Sequence, residues 1–296
     1  RISHCHGDRV IARRQRDLRA PRLHSGEFSQ RLVEQLADGL QNPWSLQFLS
    51  GGDILITERP GRLRVFRDGE LLADPVAGGV PEVRQTVLGG LLDLVLHPGF
   101  ADNETLYLSY SKGLEDNMAT TAVARARFDG NALRDVEDIF VANTRSRSVT
   151  NFGGRMVFGA DGKLYLTVGE RQEQDRAQDP LDHAGKVLRL NDDGSAPDDN
   201  PFAGNPDYLP EIFTLGHRSP QGIAVHPDTG EIWETEHGPL GGDEVNVLRP
   251  GANYGWPLVS FGLDYDGTQI TETGETGLDG YEPPLIYWVP SIAPSG

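Results

Sequence analysis

Sulfur is scarce in this chain: Cys5 is the sole cysteine, and two methionines occur in 296 residues. A single thiol excludes an intrachain disulfide and leaves the redox compartment open. Lysine is confined to Lys112, Lys163 and Lys186. No apolar run approaches the ~20 residues of a membrane-spanning helix. No apolar signal-peptide core follows Arg1, so the chain reads as a processed product or a fragment. No long helical period runs anywhere, which argues against an α-rich fold. Positive charge is in deficit, with a net charge of −17. That argues against a nucleic-acid partner, because phosphate binding needs a basic surface.

Turn-forming residues are abundant, with 36 Gly and 20 Pro, the composition of many short strands joined by tight turns. Hydrophobic residues at 37% and charged residues at 24% allow a buried core and argue against global disorder. Charge is spread unevenly. Residues 1–31 hold eight arginines against Asp8, Asp17 and Glu27, a balance of +5, and the remainder carries −22. Two regions are expected: a basic, disordered N-terminal segment over 1–31 and a β domain over 32–296. The first 26 residues could also be a basic arm or a transit-like peptide, but they carry no periodic apolar pattern.

The β domain repeats itself. Pro43–Phe66, Gly90–Ser111, Gly153–Glu170 and Gln221–Pro239 share one grammar. A short apolar strand ends in a Gly, Pro or Asp turn, and a second strand returns with alternating apolar residues such as Leu164, Leu166 and Val168. Asp161-Gly162 is a strong hairpin signal, since glycine tolerates positive φ. Further strand-like runs, Thr120–Phe128 and Glu211–Gly216, fill the intervals. About four strands per repeat is the anatomy of a β-propeller blade. The run PPLIYWVPSIA near the C-terminus reads as the start of a fifth repeat, which makes four to five blades and a ring cut before closure.

The chemistry concentrates in EHGPLGGDEVNVLRPGANYGWP, Glu236 to Pro257. Gly238, Gly241 and Gly242 let carbonyls turn inward, and Glu236, Asp243 and Glu244 are hard oxygen ligands of the kind Ca²⁺ takes. The spacing is not that of an EF-hand, so a solvated acidic turn stands as the alternative. His237 could ligate a metal or simply be hydrogen-bonded. Tyr254 and Trp256 could be core aromatics, Arg218 could pair with a surface acid, and Arg155 and Asp179 could form ion pairs between blades.

The motifs GHRSPQGIAVHP, EHGPLGGDE and NYGWP occur in order with ITERPGRLRVF, GGLLDLVLHPGF, FGGRMVF and HAGKVLRLNDDG. From about Leu36 onward the chain resembles the soluble pyrroloquinoline quinone (PQQ) dehydrogenases of aldoses, the glucose/sorbosone dehydrogenase type. The resemblance implies a six-bladed propeller with PQQ, Ca²⁺ and sugar near the axis. It also implies oxidation of an aldose C1 hydroxyl to a lactone, an electron acceptor the sequence does not identify, and a periplasmic or secreted setting. It implies that the carbonyls of Gly238 and Pro239 hold the Ca²⁺ bound to PQQ, and that Glu244 and Tyr254 ligate a second, structural Ca²⁺. Arg218 would lie beside the reactive quinone carbonyl, Ser219 would stand where the family has Asn, and Tyr265 would line the cofactor.

Three departures bear on turnover. The family's catalytic base, a His just before FGGR, is here Asn151, whose neutral amide cannot accept a proton; loss of a general base costs about 10²–10⁴ in rate. A Gln that faces cofactor and substrate is here Leu88. None of the three lysines matches the cations that clamp the quinone carboxylates. Two other readings stay open. One is a propeller that binds a sugar or protein without chemistry. The other is a lactone or ester hydrolase built on Glu170 with a histidine.

Overall fold

The computed structural model describes residues 2–6, 9–15, 31–271 and 276–295. Three antiparallel strands, β1 (Ile2–His6), β2 (Arg9–Gln15) and β3 (Arg31–Ala37), form a small sheet in that order. Val10 lies opposite Ala37 and Arg14 opposite Leu32. Of the N-terminal segment expected over 1–31, residues 1, 7–8 and 16–30 lie outside the described residues. Backbone donors and acceptors suffice to pair strands, and the edge of β3 offers them without an apolar pattern.

Four four-stranded antiparallel sheets follow, each in simple sequential order. Blade 1 holds β4 (Pro43–Phe48), β5 (Ile54–Glu58), β6 (Arg62–Arg67) and β7 (Glu70–Leu71). Blade 2 holds β8 (Leu91–Leu96), β9 (Thr105–Gly113), β10 (Ala119–Phe128) and β11 (Leu133–Val141). Blade 3 holds β12 (Gly153–Phe158), β13 (Leu164–Val168), β14 (Lys186–Leu190) and β15 (Ile212–Leu215). Blade 4 holds β16 (Pro220–Val225), β17 (Ile232–Glu236), β18 (Asp243–Val247) and β19 (Ile286–Trp288). The first strands touch in succession, β4 with β8, β8 with β12, and β12 with β16. The sheets thus radiate from a common axis as the blades of a β-propeller. One correction concerns PPLIYWVPSIA. Ile286–Trp288 pairs with Asp243–Val247 as the outer strand of blade 4 and does not begin a fifth.

The four repeats read from the sequence are the two inner strands of each blade, with the third strand of blade 1 included in Pro43–Phe66. Their apolar residues do not simply alternate: all five residues of β5, β13 and β14 are buried. Leu164 and Leu166 enter the core between blades 2 and 3, while Tyr165 enters the core between blades 3 and 4. A blade is covered on both faces by its neighbours, so its central strands are buried on both sides, with polar residues such as Thr57, Thr167 and Arg189 held by partners.

Hydroxyls register one blade on the next. The register of each first strand shifts near its start, at Pro43/Ser45, Leu91/Leu94, Gly153/Met156 and Pro220/Gly222. Backbone N–H groups freed there donate to hydroxyls of the second strand: Ser45 to Thr57, Asp93 to Ser109 and Arg155 to Thr167, at 2.9–3.0 Å. Thr57 Oγ1 then donates to the Leu92 carbonyl of blade 2 at 2.7 Å, and Ser109 Oγ to the Gly154 carbonyl of blade 3 at 2.5 Å. Thr57→Val keeps the volume but leaves two buried backbone groups unpaired. It is expected to lower unfolding free energy by about 1–3 kcal/mol, read as a lower urea midpoint at unchanged slope.

Arg155 occupies the axis. Its guanidinium stacks 3.7 Å over Trp44 of blade 1, lies 3.9 Å from Asp93 of blade 2, and donates at 2.8 Å to the Gln221 carbonyl of blade 4. The expectation of an interblade role holds for Arg155. Asp179 instead accepts the Leu181 N–H within its own turn.

Candidate functional site

The first-strand starts and second-strand ends of blades 3 and 4 converge. Asn151 precedes β12 with φ 50°, a left-handed conformation that asparagine tolerates better than most residues. Glu170 follows β13, and Gly169 between them presses against the Asn151 backbone. A Cβ at Gly169 would lie 2.2 Å from the Asn151 carbonyl oxygen, so no other residue fits there. Asn151 Nδ2 donates to Glu170 Oε1 at 2.5 Å. The Glu170 N–H donates to the Arg218 carbonyl at 2.9 Å, which ties blade 3 to blade 4.

Arg218 is the centre of this cluster. It is buried, and its Nη1 donates to the His237 carbonyl at 2.8 Å while Nη2 donates to the Tyr265 hydroxyl at 3.3 Å. Its guanidinium lies 5.3 Å from the Trp256 ring centroid. No carboxylate pairs with that side chain among the described residues, which sets aside the surface ion pair. Ser219 is buried beside it; its hydroxyl accepts from Gln221 and its carbonyl accepts the His237 N–H. His237 Nε2 lies 2.7 Å from the Pro294 carbonyl, the hydrogen-bonded alternative to a metal ligand. Leu88 is 47% exposed, and its N–H donates to the Val149 carbonyl two residues before Asn151. Tyr265, 64% exposed, stands at the rim.

The Gly238–Asp243 turn is a cradle of carbonyls. A Cβ at Gly238 would sit 2.0 Å from the Gly241 oxygen and 2.7 Å from that of Gly242, so only glycine lets these oxygens gather. Asp243 organises the turn and is not a free ligand. Its Oδ1 accepts the Gly238 N–H, and its Oδ2 accepts from Ser291, Ile292 and Ala293. The Gly238 and Pro239 carbonyls belong to a turn whose chemistry suits a hard cation.

Behind the turn lies a second oxygen-rich cluster. Glu234, Glu236 and Glu244 all reach Asn246 Nδ2, at 3.1, 3.2 and 3.4 Å. Glu236 also accepts the Arg218 N–H at 2.5 Å and, through Oε1, pairs with His217 Nδ1 at 3.0 Å. His217, Glu234 and Glu236 bring ligand atoms within 4.8 Å of one another. Burial first, and the Glu236 charge second, hold the Glu234 and Glu244 carboxyls well above the usual carboxylate range. Glu234 Oε1 and Asn246 Oδ1 are buried without a partner. Three acids sharing one amide is an arrangement a divalent cation would relieve. Tyr254 stacks on His217 at 4.8 Å, but its hydroxyl is spent on Val247 and Arg249, so only its carbonyl is left as a ligand atom. Tyr254 and Glu244 share no direct hydrogen bond among the described residues. Glu234, Asn246 and His217 escaped the sequence reading; the alternation of acids in IWETE, beside a GHR motif, was their signal.

The lysines sit elsewhere. Lys112 pairs with Asp138, and Lys163 with Asn191. Lys186 is fully buried on three carbonyls, and desolvation pulls its ammonium down to about 7. A cavity of about 700 Å³, lined in part by Arg84, Tyr110, Lys112 and Asp138, shares no residue with the Arg218 cluster. No helix among the described residues is long and apolar enough to cross a membrane.

Residues 40–296 match the glucose / sorbosone dehydrogenase family. The chain is 42% identical over 267 residues to aldose sugar dehydrogenase YliI of Escherichia coli K12, covering 89% of this chain and 72% of that protein. A crystal structure of a glucose dehydrogenase superposes with TM-score 0.86 at 43% identity, covering 90% of this chain and 77% of the other. The PQQ-bound aldose sugar dehydrogenase of Streptomyces coelicolor gives TM-score 0.71 at 29% identity, with coverage of 86% and 70%. The chain spans 70–77% of the length of these three relatives.

Proposed function

Because the chain belongs to the glucose/sorbosone dehydrogenase family, we propose that it oxidises the C1 hydroxyl of an aldose to a lactone, using PQQ and Ca²⁺. The observation that carries this reading is the Arg218 side chain, held without a carboxylate partner between the Gly238–Pro239 turn, Tyr265 and Trp256. When bound, an ortho-quinone supplies the acceptor for hydride. Arg218 would stabilise negative charge on the acceptor oxygen, and Ser219 would add a hydroxyl donor. The Gly238 and Pro239 carbonyls would hold Ca²⁺ against the cofactor, and Tyr265 would cover it at the rim. Leu88 would present an apolar wall to the sugar. A relative solved with PQQ bound supports the cofactor class; a periplasmic or secreted setting and a separate electron acceptor belong to the same proposal.

The test is reconstitution with PQQ and Ca²⁺, followed by aldoses and a dye. A shifted quinone absorbance with dye reduction is expected. Absorbance unchanged by the chain would sink the cofactor assignment. A shift without dye reduction would favour a propeller that only holds its ligand, the reading that Asn151 and Leu88 support.

The second cluster is proposed to bind a structural Ca²⁺ through Glu244, with the Tyr254 carbonyl and the buried oxygens of Glu234 and Asn246 as further donors. Binding to the folded state alone adds about 2.7 kcal/mol at a hundredfold excess over Kd. Chelation is expected to lower the unfolding midpoint accordingly. Glu244→Gln should lose the calcium-induced rise while keeping its fold; a rise of full size in that variant contradicts the ligand assignment.

A further inference from the structure

The geometry points to Glu170 as the group that takes the hydroxyl proton in this chain, in the place of the imidazole that Asn151 replaces. This rests on the reading of the site as a sugar dehydrogenase. Few groups near Arg218 keep a free basic atom. Both Asp243 oxygens are occupied by the turn. Both Glu236 oxygens are occupied, by the Arg218 N–H and by His217. His237 is held on the Pro294 carbonyl. Glu170 differs. Its Oε1 is held by the Asn151 amide, while its Oε2 has no partner, although the residue is only 2% exposed. A buried carboxylate oxygen without a donor is costly, and such costs persist where function requires them.

The backbone around Glu170 fixes its position. Arg171 and Gln172 directly after it both take left-handed φ values, 64° and 57°. Arg171 is fully buried and anchored to the carbonyls of Ser148 and Thr150, in the loop that delivers Asn151. The carboxylate, its amide partner and the Arg218 backbone are therefore tied together by direct hydrogen bonds. The neutral amide on Oε1 orients the carboxylate, at the cost of some proton affinity, and leaves Oε2 as the free acceptor.

Burial acts most strongly on the Glu170 carboxyl; against it work the hydrogen bond from the Asn151 amide, then the charges that face it, Arg218 from the connection into blade 4 and its neighbour Arg171. Burial outweighs them and raises the carboxyl above the ordinary carboxylate range. A raised pKa makes a stronger base once ionised, which suits proton abstraction near neutral pH. The step balances simply. The O–H bond breaks and its proton goes to Oε2. The bonding pair it leaves becomes the second C1–O bond. The C1–H bond breaks with its pair, which leaves as hydride for the ortho-quinone, the oxidant. Water then removes the proton from Glu170.

The experiment uses the full chain with PQQ and Ca²⁺, and compares wild type, Glu170→Gln and Glu170→Asp. All three are expected to shift the quinone absorbance alike. The wild type should turn over, with the acid limb of kcat/KM above the usual carboxylate range. Glu170→Gln should lose about 10²-fold in kcat or more, while Glu170→Asp keeps part of the rate. Independently of turnover, a protonated-carboxyl infrared band should titrate with the midpoint of that limb and vanish in Glu170→Gln. Undiminished turnover in Glu170→Gln, or quinone binding by the wild type without turnover, overturns the role of Glu170 and leaves the cofactor reading intact. Absence of quinone binding by the wild type overturns both.

Discussion

Arg218→Ala is expected to lower kcat by about 10²–10³, the usual cost of losing a donor to developing negative charge in a site shielded from water. Among the described residues no carboxylate is in ion-pair contact with the side chain, and its two hydrogen bonds, to the His237 carbonyl and the Tyr265 hydroxyl, aim it without neutralising it. Arg218→Lys preserves charge but cannot reach both acceptors from one planar fork. It should recover only a minor part of the rate. Steady-state kinetics at saturating quinone separates the outcomes. A loss confined to KM would mean that Arg218 serves ground-state binding alone, contrary to the role proposed.

Asn151→His is expected to raise kcat, by about 10²-fold, within the range assigned to a positioned general base. Histidine shares asparagine's tolerance of left-handed φ, so the 50° at this position is no obstacle. In the variant, Glu170 would accept a hydrogen bond from the imidazole in place of the amide, and the base would become the ring. The acid limb of the pH profile should then move to the imidazole range. The double variant Asn151→His/Glu170→Gln distinguishes a base from a structural neighbour. It should keep much of the gain over Glu170→Gln alone, because the ring no longer needs the carboxylate as proton acceptor.

Much of the fold was legible because it is local. Asp161-Gly162 turns β12 into β13 as read, with the Gly159 N–H donating to the Lys163 carbonyl at 2.9 Å. The repeats surfaced because each blade must present the same two inner strands to its neighbours. Outer strands such as Ile212–Leu215 and Ile286–Trp288 read as strand-like, but the blade to which Ile286–Trp288 belongs was misread, for the opposite reason. Strand β19 arrives only after the long connection 248–285, and nothing in IYW names its partner. At the site, the glycine turn and the GHR motif could be read as residues with chemistry. The link between Asn151 and Glu170 could not, since it spans two strands and depends on how closely Gly169 lets them approach. Glu234 of IWETE was hidden too, since a sequence does not distinguish an acid facing solvent from one enclosed by a neighbouring blade.

Arg155 has a consequence for how the molecule comes apart. Where modules touch only their immediate neighbours, stability is a chain of adjacent terms, and unravelling can start at either end. A guanidinium in blade 3 that also reaches blades 1, 2 and 4 adds a bond across the circle, like a keystone. Melting should therefore be a single concerted event, and blunting this one side chain should let the modules loosen in turn.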